Sequence, residues 1–331
     1  MPEQLFEIAR RHIDTPEFRG IEFIEVEAKR VINRVPGGAM PFDWTINPYR
    51  GCTHACVYCF ARSTHTYLDM DAGRDFETKI VVKVNAPDVL RRELAHPRWK
   101  GEHIAMGTAT DPYQRAEGRY GLMPRIIEVL TERRNAFSIL TKGTLILRDL
   151  ELLVRAGEVA DVSTAFSIGT VDEEAWRRTE PGTPHPRARL EAVAALNDAG
   201  VPCSVLVAPI LPGITDSPAQ LREVVTASID AGATQISPIL LHLRPGIREQ
   251  YFPWLQEHYP ELVPRYLQMY RRPYGPPSAR KELSARVAGI VRTAGGFRPR
   301  VTSGARSTRF GRRRQQPDVP ADERPTQLRM L

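Results

Sequence analysis

From about residue 44 onward, short apolar segments suited to strands alternate with longer segments of helical periodicity, and no other feature restricts the fold as much. The strand-like segments are 44–49, 103–108, 136–141, 162–168, 203–210 and 235–241, separated by helix-like segments at 87–95, 124–133, 147–156, 187–199 and 218–231. In the fourth of these helices, Leu190, Val193, Ala194, Leu196 and Asn197 fall at helical spacing and Gly200 supplies a stop. Repeated strand–helix units with short connections imply a parallel sheet covered by helices. Six strands are too few for an eightfold barrel and enough for a partial one. The expected fold is therefore α/β, a partial (β/α)6 TIM-type barrel, although an open doubly wound sheet has the same periodicity.

The expected organisation has four parts. Residues 1–40 form an N-terminal lead-in closed by the turn signal Pro36-Gly37-Gly38, and 41–260 form the barrel. Residues 261–296 form a helical extension with a last helix at 279–291, and 297–331 form an Arg-rich tail of disordered composition. Of the net charge of +7, that tail carries six, from nine Arg against Asp318, Asp322 and Glu323. Basicity thus says little about the barrel's substrate, while Arg312-Arg313-Arg314 could contact the phosphates of a nucleic acid. With 42% hydrophobic residues the chain can bury a sizeable core, yet no run approaches the roughly 18 apolar residues of a membrane span. The N-terminal MPEQLFEIARRH lacks a signal-peptide core, so a cytoplasmic protein without a membrane partner is expected.

Three of the four cysteines lie within eight positions, in Asn47-Pro48-Tyr49-Arg50-Gly51-Cys52-Thr53-His54-Ala55-Cys56-Val57-Tyr58-Cys59-Phe60-Ala61-Arg62. Cys52, Cys56 and Cys59 form CX3CX2C. Three thiolates on one short loop suit three irons of a cubane cluster and leave one iron open to a small molecule. The competing metal is zinc, with His54 or His65 as fourth donor in a Cys3His site. Cys203 lies in an apolar strand and reads as core.

The unusual residues gather where strands end, which is where α/β folds of this kind collect their chemistry. Gly51-Cys52 follow the first strand, Thr110-Asp111-Pro112-Tyr113 the second, Lys142 the third, Ser167 the fourth and 209–212 the fifth. That repeated placement argues for one shared site.

These residues carry a family resemblance. The three-cysteine loop with an aromatic before its last cysteine resembles the radical S-adenosylmethionine (SAM) superfamily. The ordered motifs NPYRGCTHACVYCFAR, GTATDPYQRAE, LTKGTLILRD, AFSIGTVDEEAWRRTEPGTPHPRARLEA and VAPILPGITD, within 31–254, resemble its spore photoproduct lyase-related branch. The resemblance implies a radical SAM core barrel with a [4Fe–4S] cluster on Cys52, Cys56 and Cys59. SAM would bind the open iron and be cleaved to a 5′-deoxyadenosyl radical that abstracts hydrogen from a substrate. It further implies that Tyr58, Lys142 and Ser167 bind SAM, that 207–214 packs on its adenine, and that an external flavodoxin- or ferredoxin-type donor supplies electrons.

The substrate is left open by a departure from that branch. Photoproduct lyases carry a hydrogen-donating cysteine at the end of the second strand, where this chain has Gly107-Thr108-Ala109-Thr110; Cys203 is not its positional match. Tyr113 and Asp111 are the candidate catalytic residues there, and Thr110, Gln114 and Glu117 either bind substrate or cap the next helix. His65, Tyr67 and Asp69 either line a substrate mouth or are structural. Glu180 opens a Pro-rich connection through His185, and a surface pairing with Arg177 and Arg178 is expected for it. No phosphate loop, GxGxxG or GxSxG is present. The reading from another class is a zinc-stabilised nucleic-acid-binding protein without catalysis.

Overall fold

The computed structural model describes residues 5–13, 15–35 and 40–297. Eleven strands occur among them: β1 (Leu5–His12), β2 (Glu22–Ala28), β3 (Ile32–Arg34), β4 (Trp44–Ile46), β5 (Tyr49–Arg50), β6 (Lys79–Lys83), β7 (Ile104–Met106), β8 (Phe137–Thr141), β9 (Val162–Ser167), β10 (Cys203–Ile210) and β11 (Ile236–Leu240). The larger sheet runs β11-β10-β9-β8-β7-β4-β3. Its six strands from β4 to β11 are parallel to their neighbours, and β3 adds antiparallel to β4. These six are the strands expected from the sequence. Among the described residues β11 pairs only with β10, as a partial barrel requires.

Helices follow the strands as the periodicity demands. Pro186–Asp198 starts on a proline at its first position, with the His185 side chain accepting from the Arg187 amide, and buries Leu190, Val193 and Leu196. Gly200 (φ 82°) turns the chain back toward β10. Each such fully buried Leu or Val stabilises the fold by about 1.5–3 kcal/mol. Pro218–Asp230 opens with a capping box between Ser217 and Gln220.

The lead-in contributes β1 and β2 to a second sheet ordered β1-β2-β6-β5. The apolar stretch expected as one strand at 44–49 is divided, because Asn47-Pro48 ends β4 and the chain crosses to pair β5 with β6, Tyr49 opposite Val82. A proline cannot donate to a ladder, which is why the break falls there. The cysteine loop therefore hangs between two sheets and is fixed by both.

The extension closes the structure from the β11 side. Helix Pro277–Thr293 buries Leu283 and Val287 in the main core. Helices Arg248–His258 and Val263–Met269 form a second apolar body in which Tyr251, Tyr266 and Tyr270 join Leu243 and Ile247 to Cys56 and Tyr58. The Arg-rich segment after residue 297 lies outside the described residues. No described helix is long and apolar enough to cross a membrane.

Candidate active site

The cysteine loop begins at a glycine for a steric reason. Gly51 has φ 80°, and a Cβ there would lie 2.9 Å from the His65 ring and from the carbonyls of Phe76 and Lys79. The Cys52 amide donates to the Phe76 carbonyl at 2.9 Å. Successive tight turns follow, with the amides of Ala55, Cys59 and Arg62 donating to the carbonyls of Cys52, Cys56 and Cys59. The buried Arg62 places Nε and Nη2 on the Cys56 carbonyl at 3.1 and 2.9 Å.

Two segments clamp this loop. From the β7 side, Thr110 Oγ1 and Gln114 Nε2 both donate to the Gly51 carbonyl, at 2.7 and 2.9 Å, while Gln114 Oε1 accepts from the Thr53 amide at 3.0 Å. Opposite them, the Thr179 carbonyl accepts from the Val57 amide and the Gly182 amide donates to the His54 carbonyl, both at 3.1 Å. Gly182 lies so close that a Cβ would stand 2.2 Å from the Thr53 carbonyl oxygen.

Asp111 joins the loop to β8. It faces His54 Nδ1 at 3.3 Å and accepts from Thr141 Oγ1, the Lys142 amide and the Tyr113 amide at 2.6, 2.6 and 2.9 Å. Burial works to raise its pKa, but His54 and the hydrogen bonds from Thr141 and Lys142 hold it below the usual carboxylate value. The Tyr113 ring lies in the main core, and its hydroxyl donates to Asp149 at 3.0 Å. Asp149 in turn meets Arg148, which pairs with Glu117 at 2.6 Å. Glu117 accepts from Tyr49 and from the amides of Leu122 and Met123, so it caps the helix that follows. The polar run after β7 thus splits its work: Thr110, Asp111 and Gln114 hold the cysteine loop, and Glu117 caps.

Lys142, Ser167 and Tyr58 come from separate parts of the chain and meet at one ammonium. Lys142 Nζ donates to the Ser167 hydroxyl at 2.9 Å, the Tyr58 hydroxyl at 3.2 Å and Glu180 Oε1 at 2.8 Å. Ser167 Oγ in turn donates a hydrogen bond to the Ala208 carbonyl at 2.7 Å, near the end of β10. Tyr58 donates to Glu180. Glu180 is not on the surface: its side chain is 6% exposed, and its second oxygen pairs with Arg189 Nη2 at 2.5 Å. Burial opposes its ionisation, but Arg189 and Lys142 outweigh it and hold the carboxyl well below its ordinary range. The surface pairing expected for Glu180 is therefore wrong. Arg177 and Arg178 instead answer Glu173 and Glu174 one helical turn away, because all four face solvent on helix Glu173–Thr179.

Arg189 was missed at the sequence level, although a signal existed. It stands four and seven positions before Val193 and Leu196, on the buried stripe of its helix, and a lone Arg there needs a buried partner.

All four cysteines are free thiols. Burial pushes Cys52 well above its ordinary value and Cys56 up to about 12, while Lys142 and Arg189 pull Cys56 back. Thiols so buried ionise when a metal replaces the proton, and the neighbouring cations favour the thiolate. Among the described residues no three of His, Cys, Asp and Glu gather around one point as a single ion demands. His54 is held by Asp111, and His65 Nε2 lies on the Lys79 carbonyl at 3.0 Å with its ring on Phe76. The other ring nitrogen of His65, Nδ1, is buried without a hydrogen-bond partner among the described residues. A cubane cluster asks for no fourth protein donor, because each of three thiolates binds its own iron and the last iron is left open. Cys203 is buried in β10, with its amide on Asn197.

Comparison with known proteins agrees with this geometry. The model of the radical SAM superfamily matches residues 46–225. The uncharacterized protein Rv2578c of Mycobacterium tuberculosis is 50% identical over 294 residues, spanning 87% of this chain and 86% of that protein. The uncharacterized protein MJ0683 of Methanocaldococcus jannaschii is 29% identical over 198 residues, 59% of this chain and 70% of its own. A solved spore photoproduct lyase variant superposes with a TM-score of 0.61 at 16% identity, over 82% of this chain and 79% of that one. Another, with bound AdoMet and dinucleoside spore photoproduct, gives 0.59 at 16% identity over 80% and 76%. At such identity the likeness shows a shared fold. The family match covers more than half of the sequence and falls on the strands that bring the cysteine loop and Lys142 together, so this chain belongs to the radical SAM superfamily.

Proposed function

We propose that Cys52, Cys56 and Cys59 hold a [4Fe–4S] cluster and that Tyr58, Lys142 and Ser167 receive SAM beside it. Superfamily members are enzymes, and the observation carrying this assignment is the meeting of those three residues at the Lys142 ammonium, next to the cysteine loop. When bound and reduced, the cluster supplies the electron that cleaves SAM to methionine and a 5′-deoxyadenosyl radical able to abstract a substrate hydrogen. Lys142 suits a carboxylate by charge, and Ser167 offers a hydroxyl beside it. Thr110, Asp111 and Gln114 act by holding the loop in place. Leu211 and Ile214, just past β10, share an apolar body with Cys56 and Tyr58 and would limit water at that side of the site. An external donor of the flavodoxin or ferredoxin type completes the reaction, in a reducing cytoplasm that keeps the cysteines free.

For substrate we favour a nucleic acid. Just past the end of β11, the His242 ring packs on Tyr274 at 4.6 Å, and the Arg244 guanidinium lies 5.5 Å from the Tyr274 ring centre. Tyr274 is 41% exposed, and Phe60 and Tyr67 project to solvent from the helix after the third cysteine. An exposed ring beside a cation, as at Tyr274, suits base stacking, worth about 1–3 kcal/mol per base. The Arg-rich tail would add phosphate contacts. Return of hydrogen by a thiol at the end of β7 is not available, since Gly107-Thr108-Ala109-Thr110 holds no cysteine.

The test is anaerobic reconstitution with iron and sulfide, addition of SAM and dithionite, and detection of 5′-deoxyadenosine by mass spectrometry, with Cys56→Ala as control. Product that requires Cys56 supports the assignment. Fully loaded protein that yields none refutes it. Tyr274→Ala and removal of 297–331 should each weaken salt-sensitive binding of single-stranded DNA, and unchanged binding would remove nucleic acid as the substrate class.

A further inference from the structure

The site around Lys142 holds one carboxylate and two cations, all buried or nearly so. Glu180 divides its oxygens, Oε1 to Lys142 at 2.8 Å and Oε2 to Arg189 at 2.5 Å. Arg189 has a side chain 1% exposed, so no ligand touches it. Its other donors are also committed: Nε to the Pro184 carbonyl at 2.9 Å, Nη1 to the Ser167 carbonyl at 3.0 Å and Nη2 to Thr183 Oγ1 at 2.9 Å. One guanidinium therefore fixes Glu180 and the backbone of Ser167 together. Were Arg189 neutral, Glu180 and Lys142 would cancel one another, and the site would present no net charge to an anion. With Arg189 in place the three groups sum to a single positive charge, and Lys142 is its more exposed carrier.

Resting on the assignment of Lys142 to SAM, we propose that Arg189 is a positioning residue that engages Glu180 so that Lys142 keeps its charge for the SAM carboxylate. It acts through Glu180 and Ser167 and takes no part in the chemistry. The planar fork matters as well as the charge, since an ammonium cannot reach the carbonyls of Pro184 and Ser167 and the Glu180 carboxylate at once.

The experiment measures equilibrium binding of SAM and of decarboxylated SAM to cluster-loaded protein, in the parent, Arg189→Met, Arg189→Lys and Lys142→Met. Arg189→Met should weaken SAM about 10-fold or more, as loss of an outer-shell partner does. Arg189→Lys should recover part of that loss. Decarboxylated SAM, which lacks the group Lys142 would meet and carries one more net positive charge, should bind no variant more weakly than the parent. Equal weakening of both ligands would reveal a general structural lesion and overturn the proposal, as would unchanged SAM binding in both Arg189 variants. If Lys142→Met leaves SAM binding intact, the assignment of Lys142 is itself wrong, a failure distinct from one confined to Arg189. Arg189→Lys keeps the test decisive should Arg189→Met fail to fold.

Discussion

Gly182→Ala should damage the candidate site without touching any group assigned to chemistry. Gly182 is outside the left-handed region, so alanine carries no backbone penalty there and the whole effect is steric. The new Cβ would stand 2.2 Å from the Thr53 carbonyl oxygen and 2.9 and 3.0 Å from the His54 carbonyl carbon and Cα. Ordinary contact begins near 3.4 Å, so the two loops must part by about 1 Å. That shift would break the Gly182–His54 hydrogen bond and strain the one from Thr53 to Gln114. Overpacking of this kind costs about 1–3 kcal/mol, or a Tm lower by about 2–10 °C. Displacement of the loop by about 1 Å should lower 5′-deoxyadenosine formation on the order of 100-fold. Gly157→Ala is the control, because that exposed helical position has no atom within 4 Å of the new Cβ and should gain about 0.5–1 kcal/mol. Differential scanning calorimetry and product assay on both variants make the comparison. A Gly182→Ala protein with parental Tm and turnover would refute the view that this contact sets the loop.

Asp111→Asn should cost about 2–3 kcal/mol, because an amide placed among the donors of Thr141, Lys142 and Tyr113 leaves one buried donor without an acceptor; urea unfolding gives the number, and a loss below about 0.5 kcal/mol would contradict the bracing role. Stability should also fall as pH drops below 6.5. Burial lowers the pKa of His65, His103 and His242 from that value, so the unfolded chain binds more protons than the folded one in the window just beneath it. Glu117, raised by burial, opposes this with one group against three, and a Tm that stays flat or rises from about pH 7 to 5.5 would show the account to be wrong. Finally, Cys203→Ala should keep full iron content after reconstitution, whereas alanine at Cys52, Cys56 or Cys59 should lose it, and iron analysis of the four proteins decides.

Much of the site was legible in the chain before any fold was drawn. The six parallel strands follow from apolar runs broken by helical periodicity, and the cysteine loop follows from three thiols at fixed spacing. Placement of Lys142 and Ser167 at strand ends already suggested that they share one mouth. The sequence reading failed where the partner of a residue is distant in the chain. Glu180 looked like a neighbour of Arg177 and Arg178, since local pairing is all a linear reading can offer. Its true partners lie 38 positions away at Lys142 and nine away at Arg189.

Residue type and spacing by themselves determined the strand–helix alternation, the three-cysteine loop and the list of polar groups at strand ends, because these depend on local propensity and position in the chain. Only the tertiary structure decided which of those groups hold the loop and which gather around Lys142. Asp111 and Gln114 could have served either purpose, and the close approach of two sheets turned them toward the cysteine loop. The pairing around Glu180 was likewise settled by packing, since two cations on one carboxylate are a property of folded distances and not of order along the chain.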